Sequence, residues 1–187
     1  YSYRWWRWYL RYPVSGSIMC RDIIFVMFDF FDNKIISEKE KNILLKWIYN
    51  NEFKFIQNPM GPHRKYYPFS EDPFIPKLFF EIKDRIIKRE KIKKWYLEPM
   101  YKDYVGMITN GGFIHEHQDA NYFGLNHVRY NLFLSVPKNG GTPVYNGIRL
   151  KMKECKYLKC LSGNERHSCE TVIGDKPRIV ISYGFLI

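Results

Sequence analysis

Two histidines and one aspartate are the residues whose types and spacing point most clearly to chemistry. His117 and Asp119 form a His-x-Asp pair, and His167 follows far along the chain. Residues i and i+2 of a strand project to the same side, so an extended segment would let His117 and Asp119 bind one metal ion. Two imidazoles and one carboxylate suit Fe(II) and leave one face of the ion open. These three residues are therefore predicted to be metal ligands and the catalytic residues.

An apolar strand that opens with an arginine follows His167 closely. Residues 174–177 carry a turn signal, and a β-branched run then opens with Arg178. We expect a hairpin that brings Arg178 next to His167. Arg178 and Ser182 would share one strand face, where a planar guanidinium and a hydroxyl can bind a carboxylate together.

These motifs, spread over residues 104–187, resemble those of the Fe(II)/2-oxoglutarate-dependent dioxygenases. That family carries His-x-Asp and a distant His for iron, and a basic residue after the second His. The resemblance implies that His117, Asp119 and His167 bind iron. It also implies that Arg178 binds the far carboxylate of 2-oxoglutarate, and the last strand is most similar to that of prolyl 4-hydroxylases.

A further segment is similar to another branch of the same family. Residues 128–141 favour a strand that ends in a Gly-Gly turn, like the Arg-x-His strand of the aspartyl/asparaginyl hydroxylases. By that resemblance Arg129 and Asn131 would bind the near carboxylate of 2-oxoglutarate, although Asn131 stands where His is usual. Lys176 is an alternative anchor, because some prolyl 4-hydroxylases use Lys nearby. The chain combines features of two branches and is assigned to neither.

The resemblance implies an enzyme that uses Fe(II), 2-oxoglutarate and O2, with ascorbate in support, and releases succinate and CO2. We expect a prolyl-hydroxylase-like enzyme acting on a peptide or protein. The net charge of +11 favours a polyanionic partner, so a nucleic-acid-directed oxygenase is a second interpretation. A third is a non-catalytic basic nucleic-acid-binding module on the same barrel. The sequence specifies neither the oligomeric state nor the identity of the substrate.

The expected fold is α+β with a mainly β core. The resemblance implies a double-stranded β-helix, a jelly-roll or cupin-like barrel, braced by N-terminal helices. At 187 residues the chain suits one domain, in which residues 1–100 support a core formed by residues 101–187. Because the first residue is Tyr, we expect the chain to be part of a longer protein.

The N-terminal half offers five candidate elements. Ser37 and Glu40 form a capping box that would open a helix running to Ile48. The remaining patterns predict a strand over residues 22–32, a strand over residues 52–57, a loop over residues 58–68 and a helix over residues 76–95.

No role in the chemistry is expected for most of the remaining histidines or for the cysteines. His115 is an alternative ligand to His117, whereas His63 and His127 are expected in loops or at the surface. No Cys-x-x-Cys pair occurs, so reduced, buried thiols and an intracellular, cytoplasmic setting are expected for the four cysteines, Cys20, Cys155, Cys160 and Cys169.

The start of the chain is aromatic and basic. Residues 1–13 lack the apolar run and cleavage site of a secretory signal. Their aromatic side chains would pack on the core, or stack with nucleic acid. No stretch has the roughly 18 apolar residues of a membrane span, so no membrane partner is expected.

Overall fold

The structure is a computed structural model that describes residues 34–59, 61 and 63–187. These residues fall within one compact unit, Asp32–Ile187. The strand predicted over residues 22–32, the segment 1–13 and Cys20 lie outside the described residues. The single-domain organisation over residues 1–187 stays a prediction.

Two α-helices, one 3-10 helix and thirteen strands form the described part of the chain. The helices are α1 (Glu38–Asn50), the 3-10 helix (Glu52–Lys54) and α2 (Leu78–Glu90). The strands are β1 (Ile56–Gln57), β2 (Arg64–Pro68), β3 (Tyr96–Leu97), β4 (Tyr104–Ile108), β5 (Ile114–His117), β6 (His127–Ser135), β7 (Asn139–Gly140), β8 (Pro143–Tyr145), β9 (Ile148–Arg149), β10 (Tyr157–Cys160), β11 (His167–Cys169), β12 (Val172–Ile173) and β13 (Arg178–Leu186). Neither α-helix is long and apolar enough to cross a membrane.

Antiparallel pairing arranges the strands into two main sheets. The major sheet has the order β1-β2-β4-β13-β6-β10, with β3 also paired to β13, and the minor sheet has the order β5-β11-β8-β9. β7 and β12 form a separate pair. Residues of both sheets line one cavity. This architecture confirms the predicted double-stranded β-helix.

The two faces of the major sheet have different surroundings because strand side chains alternate. On β13, Ile179, Ile181 and Tyr183 belong to the hydrophobic core, whereas Arg178 and Val180 line the cavity. The helices complete that core with their apolar stripes, which are Leu44 and Ile48 on α1 and Phe79, Ile82 and Ile86 on α2. The helices therefore brace the sheet on the side away from the cavity.

Helix α1 begins as predicted. Ser37 Oγ accepts a hydrogen bond from the Glu40 N–H at 3.2 Å, and Glu40 Oε2 accepts one from the Ser37 N–H at 2.8 Å. This reciprocal pair is the capping box.

The thiols of Cys155, Cys160 and Cys169 are free and buried, as expected.

Two predictions in the segment after α1 are wrong in part. Residues 52–57 begin with the 3-10 helix and form a strand only in β1. The loop predicted over residues 58–68 contains β2, which pairs with β4 over its whole length. Tertiary pairing there overrides the local Pro and Gly signals.

The second helix is shorter than predicted. Instead of residues 76–95, α2 covers Leu78–Glu90. It ends where Lys91 adopts a left-handed φ of 54°, a common way to end a helix. The following residues reach β3, which pairs with β13 instead of continuing the helix.

A buried ion pair joins α2 to the major sheet. Lys83 Nζ lies 2.7 Å from Asp103 Oδ2, and the two side chains are 9% and 3% exposed. Asp103 Oδ1 also accepts a hydrogen bond from the Gly184 N–H at 3.1 Å. Lys83 Nζ lies 4.4 Å from the centre of the Trp95 ring.

Replacing Lys83 tests this attachment. Lys83→Met should lower the free energy of unfolding by about 3 kcal/mol, because it leaves the Asp103 carboxylate buried without its partner. Chemical denaturation followed by circular dichroism measures the change. Lys88→Met, on the exposed face of the same helix, should change it by less than about 0.5 kcal/mol. Equal losses in the two variants would contradict the assignment.

Candidate metal centre

His117 and His167 lie side by side on neighbouring strands of the minor sheet. His117 ends β5, His167 begins β11, and the two residues are direct cross-strand partners. Such partners bring their side chains together, and the two imidazole centres are 4.3 Å apart. On the other side of His167, the paired residue Tyr145 stacks on the imidazole at 5.7 Å and 17°. His167 is therefore held between two ring systems.

Asp119 lies two residues beyond β5 and is held by the loop that follows β10. The Asp119 N–H donates to the Ser162 carbonyl at 2.9 Å. The Gly163 carbonyl accepts hydrogen bonds from Gln118 Nε2 at 2.6 Å and from Asn121 Nδ2 at 3.2 Å. A Cβ on Gly163 would lie 1.8 Å from Asn121 Oδ1, so a larger residue there would displace the Asn121 amide.

The three predicted ligands converge. His117 Nε2 lies 3.5 Å from Asp119 Oδ1, and His167 Nε2 lies 3.9 Å from Asp119 Oδ2. One ligand atom from each residue lies within 4.8 Å of the others. Three such donors this close together could hold one metal ion.

The imidazole tautomers suit the same purpose. His117 Nδ1 lies 2.8 Å from the His115 carbonyl oxygen, and His167 Nδ1 lies 2.9 Å from the Glu165 carbonyl oxygen. A carbonyl oxygen only accepts, so Nδ1 carries the proton and donates. The Nε2 lone pair of each ring is then free to bind a metal, in the orientation that the Nδ1–H bond sets.

The surroundings keep the Asp119 carboxylate ionised. Burial alone raises the pKa of Asp119, but the neighbouring His117 ring and the charge of Arg129 outweigh it and lower the pKa to about 2. The neighbouring Asp119 carboxylate raises the pKa of His117, whereas burial lowers the pKa of His167. An anionic carboxylate beside two imidazoles is a donor set that fits a divalent cation.

Arg178 lies in the opposite wall of the cavity, on the major sheet. The cavity volume is about 440 Å³, within the range of roughly 300–1,000 Å³ typical of small-molecule sites. Arg178 is 6% exposed, and its Nε has no hydrogen-bond partner among the described residues. A buried guanidinium with an unused donor at a cavity is suited to an anionic ligand.

The predicted hairpin between His167 and Arg178 is wrong. β11 belongs to the minor sheet and β13 to the major sheet. The intervening strand β12 pairs with β7, so the chain leaves the minor sheet before it reaches β13. Both residues still line one cavity, from opposite walls.

Arg129 belongs to a buried network beside the metal centre. Its Nη2 donates to Glu98 Oε2 at 2.6 Å, its Nη1 donates to Ser182 Oγ at 3.3 Å, and its Nε lies 3.9 Å from Asp119 Oδ2. Asn131 is the next cavity-lining residue on the same strand face. The structure thus brings Arg129, Asn131 and Ser182 near the site, and their roles toward 2-oxoglutarate stay predictions.

The alternative site residues are not among the three converging ligands. Lys176 Nζ forms an ion pair with Glu154 Oε1 at 2.6 Å. His115 is exposed, and its ring contacts that of Phe113 at 4.6 Å. His63 is exposed, as expected.

The surface position predicted for His127 is wrong. His127 is 2% exposed because it begins the buried strand β6. Its Nδ1 lies 3.7 Å from Asp119 Oδ2. Burial lowers the pKa of His127, so an uncharged imidazole lies beside that carboxylate.

Tyr145 and Arg64 line the cavity and carry no predicted role. Asn131 Nδ2 lies 3.5 Å from Tyr145 Oη, and burial raises the pKa of Tyr145, so its hydroxyl stays protonated. Arg64 lies on β2, where the alternation of Arg64 and Tyr66 was the only sequence sign of a strand face. The surrounding Pro and Gly residues favoured a loop instead.

Comparisons with known proteins support the fold assignment. No protein-family model and no curated protein sequence matches the chain. HygX from Streptomyces hygroscopicus, solved with nickel and 2-oxoglutarate bound, has a TM-score of 0.67 at 11% identity over 89% of this chain and 85% of that chain. The chain has the fold of the Fe(II)/2-oxoglutarate-dependent oxygenases.

Prolyl hydroxylases of the same oxygenase fold are also similar. A Pseudomonas putida prolyl-4-hydroxylase has a TM-score of 0.62 at 11% identity over 83% of this chain and 89% of that chain. A Trichoplax adhaerens prolyl hydroxylase, solved with a peptide of hypoxia inducible factor, has a TM-score of 0.63 at 15% identity over 82% and 81%. Identities this low establish the oxygenase fold and leave the activity to the site itself.

Loosening the Asp119 loop should weaken metal binding. Asn121→Ala removes the amide that joins the loop to Gly163, so we expect an affinity for Ni(II) about tenfold lower, as for other residues that orient ligands. Isothermal titration calorimetry measures this affinity. Asn110→Ala is the matched control, because Asn110 Oδ1 accepts a hydrogen bond from the Gly174 N–H in another loop. Equal affinities in the two variants would contradict this role of the loop.

Proposed function

We propose that the chain is an Fe(II)- and 2-oxoglutarate-dependent oxygenase. His117, Asp119 and His167 would hold the iron, and Arg178 would bind the far carboxylate of 2-oxoglutarate. The observation that carries the proposal is the convergence of these three side chains, with ligand atoms within 4.8 Å, on a cavity that also contains the buried Arg178 guanidinium.

Iron and 2-oxoglutarate, when bound, would supply the oxidising chemistry that turns 2-oxoglutarate and O2 into succinate and CO2 and inserts one oxygen atom into the substrate. The protein itself needs no acid–base pair for this reaction. Its residues orient the ligands, recognise the carboxylate and exclude bulk water.

Each named residue has a task in that arrangement. The Nδ1–H bonds of His117 and His167 keep their Nε2 atoms turned toward Asp119. Arg129, anchored by Glu98, places a positive charge beside the Asp119 carboxylate. This charge favours the ionised form that a metal ligand needs.

For the substrate we propose a peptide or protein and a prolyl-hydroxylase-like reaction. The support is the similarity of the last strand to that of prolyl 4-hydroxylases and the presence of prolyl hydroxylases among the similar structures. HygX has also been solved with hygromycin B bound, and the similar SnoN is an epimerase. Small-molecule substrates are therefore the second candidate, while the nucleic-acid interpretations rest on the net charge of +11 and on the aromatic, basic residues 1–13.

Succinate formation tests the proposed reaction. Purified protein with Fe(II), ascorbate, 2-oxoglutarate and air should release succinate slowly even without its prime substrate. Asp119→Ala should abolish this turnover by removing a ligand. Arg178→Ala should raise the 2-oxoglutarate concentration for half-maximal rate by about tenfold or more, the cost of losing a charge-assisted pair.

Arg149→Ala is the control for that experiment. Arg149 lies at the edge of the minor sheet, where its Nη2 binds the Glu170 carboxylate at 2.9 Å. Its replacement should leave turnover unchanged. Succinate release that survives Asp119→Ala would contradict the ligand assignment.

A further inference from the structure

Arg64 and Arg178 stand in one row across the major sheet. Arg64 on β2 and Arg178 on β13 both pair with Ile108 of the strand between them. Directly paired residues project to the same face, and all three line the cavity. Two strand spacings place their Cα atoms about 9–10 Å apart. The guanidinium groups of Arg64 and Arg178 therefore lie in the cavity on either side of Ile108.

Among the described residues, Arg64 has no carboxylate partner, in contrast to the nearby Arg129 and Lys65. Arg129 is paired with Glu98, and Lys65 with Glu52 at 2.9 Å. Within residues 34–59, 61 and 63–187, the Arg64 guanidinium has neither an ion pair nor a hydrogen bond, and burial lowers its pKa. A half-buried cation of this kind costs free energy until an anion meets it.

The two arginines lie at different depths. Arg178 is buried, whereas Arg64 is partly exposed. Arg64 and the proposed metal ligand His117 line the same cavity. A small cosubstrate at Arg178 would occupy the buried end of the row, which leaves the more exposed Arg64 for another ligand.

Three tyrosines form an apolar wall beside Arg64. Tyr66 follows Arg64 on the same strand face, and its ring centre lies 5.8 Å from that of Tyr101 and 6.5 Å from that of Tyr104. The rings of Tyr101 and Tyr104 are 6.0 Å apart. A cation beside an aromatic wall suits a ligand that carries both a negative charge and an apolar group.

We propose that Arg64 binds a carboxylate of the prime substrate, whose apolar part lies against Tyr66, Tyr101 and Tyr104. The substrate class is then an acyl amino acid or a peptide with a carboxylate near the reacting group. This inference rests on the proposed function, because it assigns Arg178 to 2-oxoglutarate.

Ligand-observed NMR on protein loaded with Zn(II) and 2-oxoglutarate tests the role of Arg64. The probes are the N-acetyl derivatives of the twenty common amino acids and the matching carboxamides, which lack the negative charge. At least one acid should bind, and its carboxamide should bind about tenfold more weakly or worse. Arg64→Gln should lower the affinity for that acid by a similar factor. Lys65→Gln, which removes a paired charge from the same strand, should leave this affinity unchanged.

Separate titrations with 2-oxoglutarate distinguish this inference from the proposed function. Arg64→Gln should leave the 2-oxoglutarate affinity of the Zn(II)-loaded protein unchanged, whereas Arg178→Gln should weaken it. Acids that bind no better than their carboxamides, or no binding by any acid, would overturn the role of Arg64 while the cosubstrate assignment stands. Equal weakening of 2-oxoglutarate by both variants would make Arg64 a second cosubstrate anchor and also overturn it. Wild-type protein that binds no 2-oxoglutarate would instead overturn the proposed function.

Discussion

The register between β5 and β11 is the constraint on which the candidate site depends. It sets His117 directly opposite His167 and, through β8, sets His167 opposite Tyr145. A shift of one residue would turn these side chains to the other face of the minor sheet. The register shifts between His167 and Cys169, so an irregularity lies directly beside the paired histidines. Asp119 is then added from the loop beyond β5, held by the backbone of Ser162.

The major sheet supplies the complementary wall. Its core face packs on the helices, and its cavity face carries three arginines that differ in their partners. Arg129 is neutralised by Glu98, whereas Arg178 keeps an unused donor and Arg64 has no carboxylate partner among the described residues. Burying a charge without a partner is costly. We therefore expect anionic ligands to bind at Arg178 and Arg64.

The sequence specified the metal centre better than the supporting structure. His117, Asp119 and His167 could be grouped because a period of two relates the first pair and the resemblance supplies the third. The hairpin was wrong because sequence order does not show that β12 crosses between sheets. The position of His127 and the role of Arg64 depend on burial and on pairing with distant strands, which local Pro and Gly signals obscured. The capping box at Ser37 was predictable because its hydrogen bonds are local.

The most direct test of the account is an anaerobic titration of the Fe(II)-loaded protein with 2-oxoglutarate, followed by absorption spectroscopy. Chelation of iron by the keto acid gives a charge-transfer band that neither component shows alone. The account predicts this band for the wild type and its absence in Asp119→Ala. It predicts a higher 2-oxoglutarate requirement in Arg178→Gln. No band in the wild type, at saturating iron and 2-oxoglutarate, would contradict the central claim.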